Sequence, residues 1–146
     1  DISTLTELRI AYLQEDLGQI TDADMELISS SLPGYYEKHL NNDLLVYVVR
    51  DEMDIVSCAF LLLVEKPMSP SFLTGKTGTV LNVYTKPEYR KKGYAKKLMT
   101  MMLEDAKAEA VSVIELKATE DGYSLYKSVG FEDAAARYHN MKFVLQ

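Results

Sequence analysis

Residues 89–95 read Tyr89-Arg90-Lys91-Lys92-Gly93-Tyr94-Ala95 and join a strand-like segment, Gly78 to Thr85, to the most regular amphipathic stretch of the chain. A helix that opens there leaves its first backbone N–H groups without internal partners, and its dipole adds partial positive charge at the same place. Such a start accepts an anion, a phosphate above all. Gly93 removes the side chain that would hold a ligand away from those amides, Ala95 keeps the next one small, and Arg90, Lys91 and Lys92 add formal charge. From Gly93 onward Ala95, Leu98, Met99, Met102, Leu103 and Ala106 recur at helical spacing, with Lys96, Lys97, Thr100, Glu104 and Lys107 opposite. That spacing predicts a helix with one buried face, and it makes the methionine stripe core packing.

Upstream, Leu44 to Val49 and Ile55 to Val64 are apolar, β-branched runs joined through Asp51-Glu52-Met53-Asp54, which predicts a hairpin. Lys66 to Lys76, with Pro67, Pro70 and Gly75, reads as an irregular loop before the strand Gly78 to Thr85. The chain opens with a predicted helix over Leu5 to Leu17, ending near Gly18. A second helix begins at Thr21 and runs to Ser31, is broken at Pro33-Gly34, and is followed by a turn or two over Tyr35 to Leu40. Downstream come a short strand, Ser112 to Lys117, and a helix, Thr119 to Val129, closed by Gly130. A final alternating strand, Tyr138 to Leu145, sets His139, Met141, Phe143 and Leu145 on one face. This order predicts one domain over 1–146 of α/β class, an α+β arrangement around a mixed sheet.

The 146 residues can bury one core, and 47% hydrophobic with 26% charged content is ordinary for a globular chain. A net charge of −6 argues against general nucleic-acid binding, although Lys86, Arg90, Lys91, Lys92, Lys96 and Lys97 crowd into one segment. For Lys96 and Lys97 a solvated helix face is the simpler reading. The longest apolar stretch, Ala59 to Val64, is too short to span a bilayer, so no membrane partner is expected. The one cysteine, Cys58, lies inside an apolar run and reads as a buried thiol in a reducing cytoplasm. No metal-ligand spacing is present, and His39 and His139 pair with no acid or cysteine motif, His139 reading as a packed core histidine.

Two phosphate signatures fail. Gly75-Lys76-Thr77 resembles the end of a nucleoside-triphosphate loop, but the required glycine five residues before Gly75 is Pro70, and a strand rather than a helix follows Thr77. The dinucleotide fingerprint fails because Lys91 and Lys96 occupy its flanking glycine positions around Gly93.

What remains is Arg90-x-x-Gly93-x-Ala95 opening a helix, followed later by Thr119, Gly122, Leu125-Tyr126 and Gly130-Phe131. The pair resembles the two motifs of the GNAT superfamily of N-acetyltransferases, with Thr119 and Gly122 departing from the family's usual Asn and Ala. The resemblance covers about Leu44 to Leu145. It implies the acyl-CoA N-acyltransferase fold: a central, mostly antiparallel sheet flanked by helices, with a splay between its two central strands. Members usually begin with a strand before the first helix, and Asp1-Ile2-Ser3 is too short to supply one, so that first strand is expected to be missing from the N-terminus.

The implied activity is transfer of acetyl from acetyl-CoA, as co-substrate and without metal, to a primary amine of a small molecule or peptide by direct attack in a ternary complex. By resemblance, Arg90, Lys91, Lys92, Gly93, Tyr94 and Ala95 take the pyrophosphate, while Val83, Tyr84 and Thr85 offer backbone groups to the pantetheine amides. A backbone N–H near Val83 polarises the thioester carbonyl. Thr119 belongs to the cofactor site, and Tyr126 both contacts the cofactor and protonates the leaving thiolate. Acceptor residues are expected among Tyr35, Phe72, Asn82 and Tyr123, with Tyr36 and Met68 near them. Glu65 is the one substitute for a general base; otherwise the acceptor amine loses its proton through water or arrives neutral. The acidic balance could favour a cationic acceptor, and a homodimer is an open assembly. Two rival readings stay open: an acyl-CoA-binding regulatory or partner module without turnover, and a nucleic-acid binder using the lysine cluster, which the net charge disfavours.

Overall fold

The computed structural model describes residues 1–135 and 137–146. Strands β1 (Leu44–Asp51) and β2 (Asp54–Glu65) form the expected hairpin, paired antiparallel from Leu44↔Leu62 to Asp51↔Asp54. Strand β3 (Lys76–Thr85) continues the sheet antiparallel to β2, and β4 (Val113–Glu115) joins β3 in parallel, giving the order β1-β2-β3-β4. Around them lie α1 (Ile2–Leu17), α2 (Asp22–His39), α3 (Tyr94–Ala108) and the short α4 (Tyr123–Ser128).

The long apolar run of β2, broken only by Ser57, has a simple cause: both faces of the sheet are covered. On one side Leu5 and Leu8 of α1 and Tyr36 of α2 pack with Leu44, Ile55, Cys58 and Phe60. On the other, Leu98, Met99, Met102 and Ala106 of α3 close over Ala59, Leu61 and Val80. The methionine stripe is therefore core, as its spacing predicts, with Met99 and Met102 both 0% exposed.

Two irregularities of β3 position everything that follows. Its ladder with β4 is confined to Thr77–Thr79 against Val113–Glu115, so past Thr79 the strand runs on to Thr85 beside no β4 partner. This is the splay. Opposite β2, the register shifts between Cys58↔Tyr84 and Phe60↔Leu81, so Asn82 and Val83 together face Ala59. Asn82 sits at φ 52° in this bulge, which bends the strand and re-aims the residues around it. Its side chain holds the bulge from below, Nδ2 donating to Cys58 Sγ at 3.5 Å and the thiol donating back to the Asn82 carbonyl at 3.7 Å.

Burial pushes the Cys58 thiol up to about 12 from an ordinary 9.0, the bond from Asn82 opposing the shift only in part. The folded chain thus keeps a proton that the unfolded chain releases first. This contribution to stability is complete below about pH 9 and is lost as pH rises toward about 12. Thiol reagents at neutral pH are expected to leave the native protein unlabelled and to modify Cys58 only as denaturant unfolds it, a course that mass spectrometry follows. Immediate labelling of the native protein would contradict this account.

Three expectations need correction. Helix α2 is continuous through Pro33-Gly34, because Tyr36, 1% exposed and edge-on to Phe60 at 6.0 Å, holds the last turns against the sheet. Tertiary burial here outweighs one missing backbone donor. The helix expected over Thr119 to Val129 is reduced to Tyr123–Ser128, preceded by a turn in which Thr119 Oγ1 accepts from the Gly122 amide at 3.1 Å.

The final strand, Tyr138 to Leu145, does not form. Met141, Phe143 and Leu145 are 91%, 86% and 90% exposed, and His139 is exposed rather than packed in the core. Alternation states which face a strand could bury, but it supplies no partner edge, and among the described residues this segment pairs with none.

Candidate active site

The approach to the Gly93 run is fastened to the β1–β2 hairpin. Lys86 Nζ meets Asp54 Oδ2 at 2.8 Å, and the Tyr89 hydroxyl, in the 3-10 turn Pro87–Tyr89, donates to Asp51 Oδ2 at 2.7 Å. The chain then turns through Lys91 at φ 64° and Gly93 at φ 80°, both left-handed, into α3. No side chain caps this helix, so the amides of its first turn stay open, and the bond from Lys97 N–H to the Gly93 carbonyl at 3.1 Å closes the first turn.

Arg90 is already engaged. Its Nε donates to the Thr85 carbonyl at 2.8 Å, its two terminal nitrogens grip Glu15 at 2.8 and 2.6 Å, and its guanidinium lies 5.5 Å from the Tyr84 ring centre. The bidentate pair fastens α1 to the end of β3. The bond to Glu15 also raises the Arg90 pKa further above its ordinary value.

A cavity of about 780 Å³ opens between the splayed end of β3 and the turn before α4. Val83, Tyr84 and Thr85 form one wall, Arg90, Lys91, Gly93, Tyr94 and Ala95 one end, and Thr119 and Tyr126 the opposite side. Lys92 alone of the expected cofactor residues stands outside this lining, its ammonium 5.3 Å from the Tyr89 ring centre. Tyr126 packs edge-on to Phe131 at 6.0 Å, and burial, followed by the nearby Tyr12, pushes its phenol up to about 12. The departure at Gly122 has a local reason: a Cβ there would lie 2.9 Å from the Tyr126 ring and 3.2 Å from Thr119 Oγ1. The bare glycine makes room for the ring.

The family model described as "Acetyltransferase (GNAT) family" matches residues 6–131. The chain belongs to the GNAT acetyltransferase family. Among solved structures it is similar to a predicted acetyltransferase from Clostridium acetobutylicum determined with acetyl-CoA, at 27% identity and TM-score 0.85, over 97% of this chain and 90% of that one. A GCN5-related N-acetyltransferase from Ralstonia eutropha JMP134 shares the fold at 20% identity and TM-score 0.76, over 97% and 92%. Glucosamine-6-phosphate N-acetyltransferase from Arabidopsis thaliana shares it at 17% identity and TM-score 0.63, over 97% and 93%. No curated protein matches the chain.

This GNAT acetyltransferase does not bring all the expected acceptor residues together. Tyr35 lines a second cavity, of about 620 Å³, between α1 and α2, and stacks on His39 at 4.5 Å. That histidine is not unpaired as expected, since Nδ1 meets Asp43 Oδ1 at 2.7 Å. Asn82, 3% exposed, is spent on Cys58 and on Arg9, whose Nη1 donates to its Oδ1 at 3.4 Å. Phe72 lines neither cavity and lies under Lys66, in the loop preceding β3. From Lys76 to Val83 the strand advances about 23 Å, so the loop and the splay are at opposite ends. Glu65 pairs with Lys76 at that same far end and is out of reach of Val83. Tyr123 points away as well, donating to Asp133 Oδ2 at 2.7 Å.

Sequence reading missed Tyr12, Glu15 and Asp16, which line the larger cavity from α1. Tyr12 and Glu15 lie three apart on one helix face, but only the packing of α1 against the splay turns that face into a wall. Glu15 sets a carboxylate against the cradle, and because its bidentate pair with Arg90 is solvent-exposed, screening limits the stability it adds to about 1 kcal/mol at most. Glu15→Gln is therefore expected to leave folding nearly unchanged and to tighten acetyl-CoA binding by about two- to fivefold at low salt, less at high salt. Calorimetry at two ionic strengths checks this, and weaker binding in the variant would contradict it.

Proposed function

We propose that the enzyme transfers acetyl from acetyl-CoA to a primary amine of a small molecule or peptide by direct attack in a ternary complex. The observation that carries this reading is convergence: the helix start at Gly93, the unpaired end of β3 and the Tyr126 phenol line one cavity. In this reading the open amides of α3 hold the pyrophosphate, with Lys91 adding charge. The free side of β3 from Val83 to Thr85 receives the pantetheine arm as a further strand would be received.

The Asn82–Val83 bulge aims a backbone N–H at the thioester oxygen, where negative charge develops as the amine attacks. The carbon–sulfur bond then breaks, and the Tyr126 proton passes to the departing thiolate. The attacking amine loses its proton to water, since the carboxylate proposed from sequence, Glu65, lies at the other end of the sheet. The buried, solitary thiol of Cys58 supports a cytoplasmic location.

Titration calorimetry with acetyl-CoA, followed by free-thiol release against an amine panel, tests the proposal. Binding with release for at least one amine is expected. Binding without release for any acceptor would leave a sensing or partner module, and failure to bind acetyl-CoA would remove the reading altogether.

A further inference from the structure

The second cavity, between α1 and α2, is walled mainly by apolar side chains, among them Leu13, Ile20, Ile28 and Leu32, yet Arg9 lines it as well. Arg9 takes part in no ion pair among the described residues, although Asp24 lines the same cavity. Its one side-chain hydrogen bond among those residues is the long one to Asn82 Oδ1, 3.4 Å. A guanidinium carries five N–H donors in a fixed fork, so most of its capacity is unspent. Holding a partly buried cation at the wall of a mainly apolar cavity is costly unless something anionic completes it.

Its position is as informative as its charge. Arg9 stands at the seam of the two cavities: Tyr12, 6.0 Å from its guanidinium, belongs to the wall of the cofactor cavity, and Tyr35 to the wall of the second. Beneath it is Asn82, and the next residue is Val83, on the cofactor side. Consecutive Cα atoms are about 3.8 Å apart, so an anion on the Arg9 fork lies close to the place where the proposed function puts the thioester.

We infer that the acceptor is a small amine that also bears a carboxylate, held bidentately by Arg9, and that its apolar side chain lies between α1 and α2. An apolar α-amino acid has this chemistry, with amine and carboxylate on one carbon: the carboxylate docks on Arg9 and the amine faces Val83. This inference rests on the acetyl-transfer reading and narrows its acceptor. The net charge of the whole chain, which points toward a cationic acceptor, is outweighed by Arg9, the one Lys or Arg among the described residues lining the pocket, because screening confines charge effects to about 8–10 Å.

The test compares leucine with leucinamide, which differ in the carboxylate alone, as acceptors for the wild type, Arg9→Met and Arg9→Lys, read as kcat/KM from CoA thiol release. Arg9→Met is expected to lower kcat/KM for leucine by about ten- to hundredfold, the value of a charge-assisted pair, and for leucinamide by less than about threefold. Arg9→Lys keeps the charge without the fork and is expected to fall between the two. Taking the change of ratio between variants removes the difference in amine basicity between the two acceptors. Calorimetry with acetyl-CoA on each variant verifies the fold: unchanged affinity shows that a lost leucine rate belongs to the acceptor side.

An equal fall on both acceptors, or a leucine-to-leucinamide ratio that Arg9→Met does not change, overturns the inference while leaving acetyl transfer standing. If the wild type binds acetyl-CoA but acetylates neither amine, binding of N-acetylleucine and N-acetylleucinamide to the CoA complex decides. Tighter binding of N-acetylleucine that disappears in Arg9→Met supports the inference, and equal or absent binding refutes it. Failure of the wild type to bind acetyl-CoA is the separate result that removes the transfer reading itself.

Discussion

Tyr126→Phe is expected to lower kcat by about 10²- to 10³-fold while changing acetyl-CoA affinity by less than about twofold, since only a hydroxyl is lost from a side chain whose ring makes the packing contacts. The phenol, at about 12, stays protonated through neutral and moderately alkaline solution, so it is available as a donor. A proton held that firmly must still pass to a thiolate, and a free thiol is the stronger acid, near 8.5. The cavity narrows the gap by acting on both partners: desolvation disfavours either anion, and in this same protein burial carries the Cys58 thiol to about 12. A CoA sulfur enclosed beside Tyr126 is by the same cause a weaker acid than a free thiol, which narrows its mismatch with the phenol.

The pH consequence has a definite sign. Because the Tyr126 pKa is raised, the active, protonated form persists as pH rises, and the wild-type kcat should show no loss attributable to this group below about pH 11. The Phe variant should be slower at every pH, not only on the alkaline side. Single-turnover and steady-state rates of thiol release between pH 6 and about pH 10 read this directly. A Phe variant with wild-type kcat across that range would reduce Tyr126 to a packing residue.

The second large effect is expected at Gly93. With φ at 80°, any side chain there is strained, at a cost of about 1–2 kcal/mol for an L-residue and more for a β-branched one. Nothing lies within 4 Å of a Cβ built at Gly93, so the free protein meets strain but no collision. In the proposed binding mode the pyrophosphate sits against the α3 amides beside Gly93, so there the ligand would meet the added atoms as well. Gly93→Val is therefore expected to weaken acetyl-CoA binding by about a hundredfold, about the worth of two lost charge-assisted hydrogen bonds to phosphate. Lys92→Ala, whose ammonium is outside the cavity lining, should change affinity by less than about threefold at physiological salt. Calorimetry with acetyl-CoA ranks the two, and thermal unfolding of Gly93→Ala separates backbone strain from obstruction. A larger loss for Lys92→Ala than for Gly93→Val would place recognition in the lysines rather than in the backbone.

How much of the site was readable before folding differs by element. The cradle was readable because its chemistry is local: a glycine, a small residue two positions on and a helix start lie together in sequence and do their work where they stand. Val83 to Thr85 and Tyr126 were readable only through the family resemblance; they line one cavity with Gly93. The acceptor side was poorly readable. Phe72 and Glu65 are near Val83 in chain order but at the wrong end of a long strand, while Arg9, seventy-three positions from Asn82, touches it. Nothing in the composition around Arg9 distinguishes it from any helix-surface arginine.

The sequence by itself determined α3, β1 and β2 and the faces they bury, since helical spacing from Ala95 to Ala106 and the apolar runs of the two strands are properties of neighbouring residues. It also determined the open helix start at Gly93. Tertiary structure alone decided which edges find partners: β3 parts from β4 after Thr79, and Tyr138 to Leu145 pairs with nothing among the described residues. It alone carried α2 through Pro33 and committed Arg90 to Glu15. The physical reason is the same in each case. Burial, pairing and ion-pair energies depend on distances between residues far apart in the chain, and local periodicity contains no term for them.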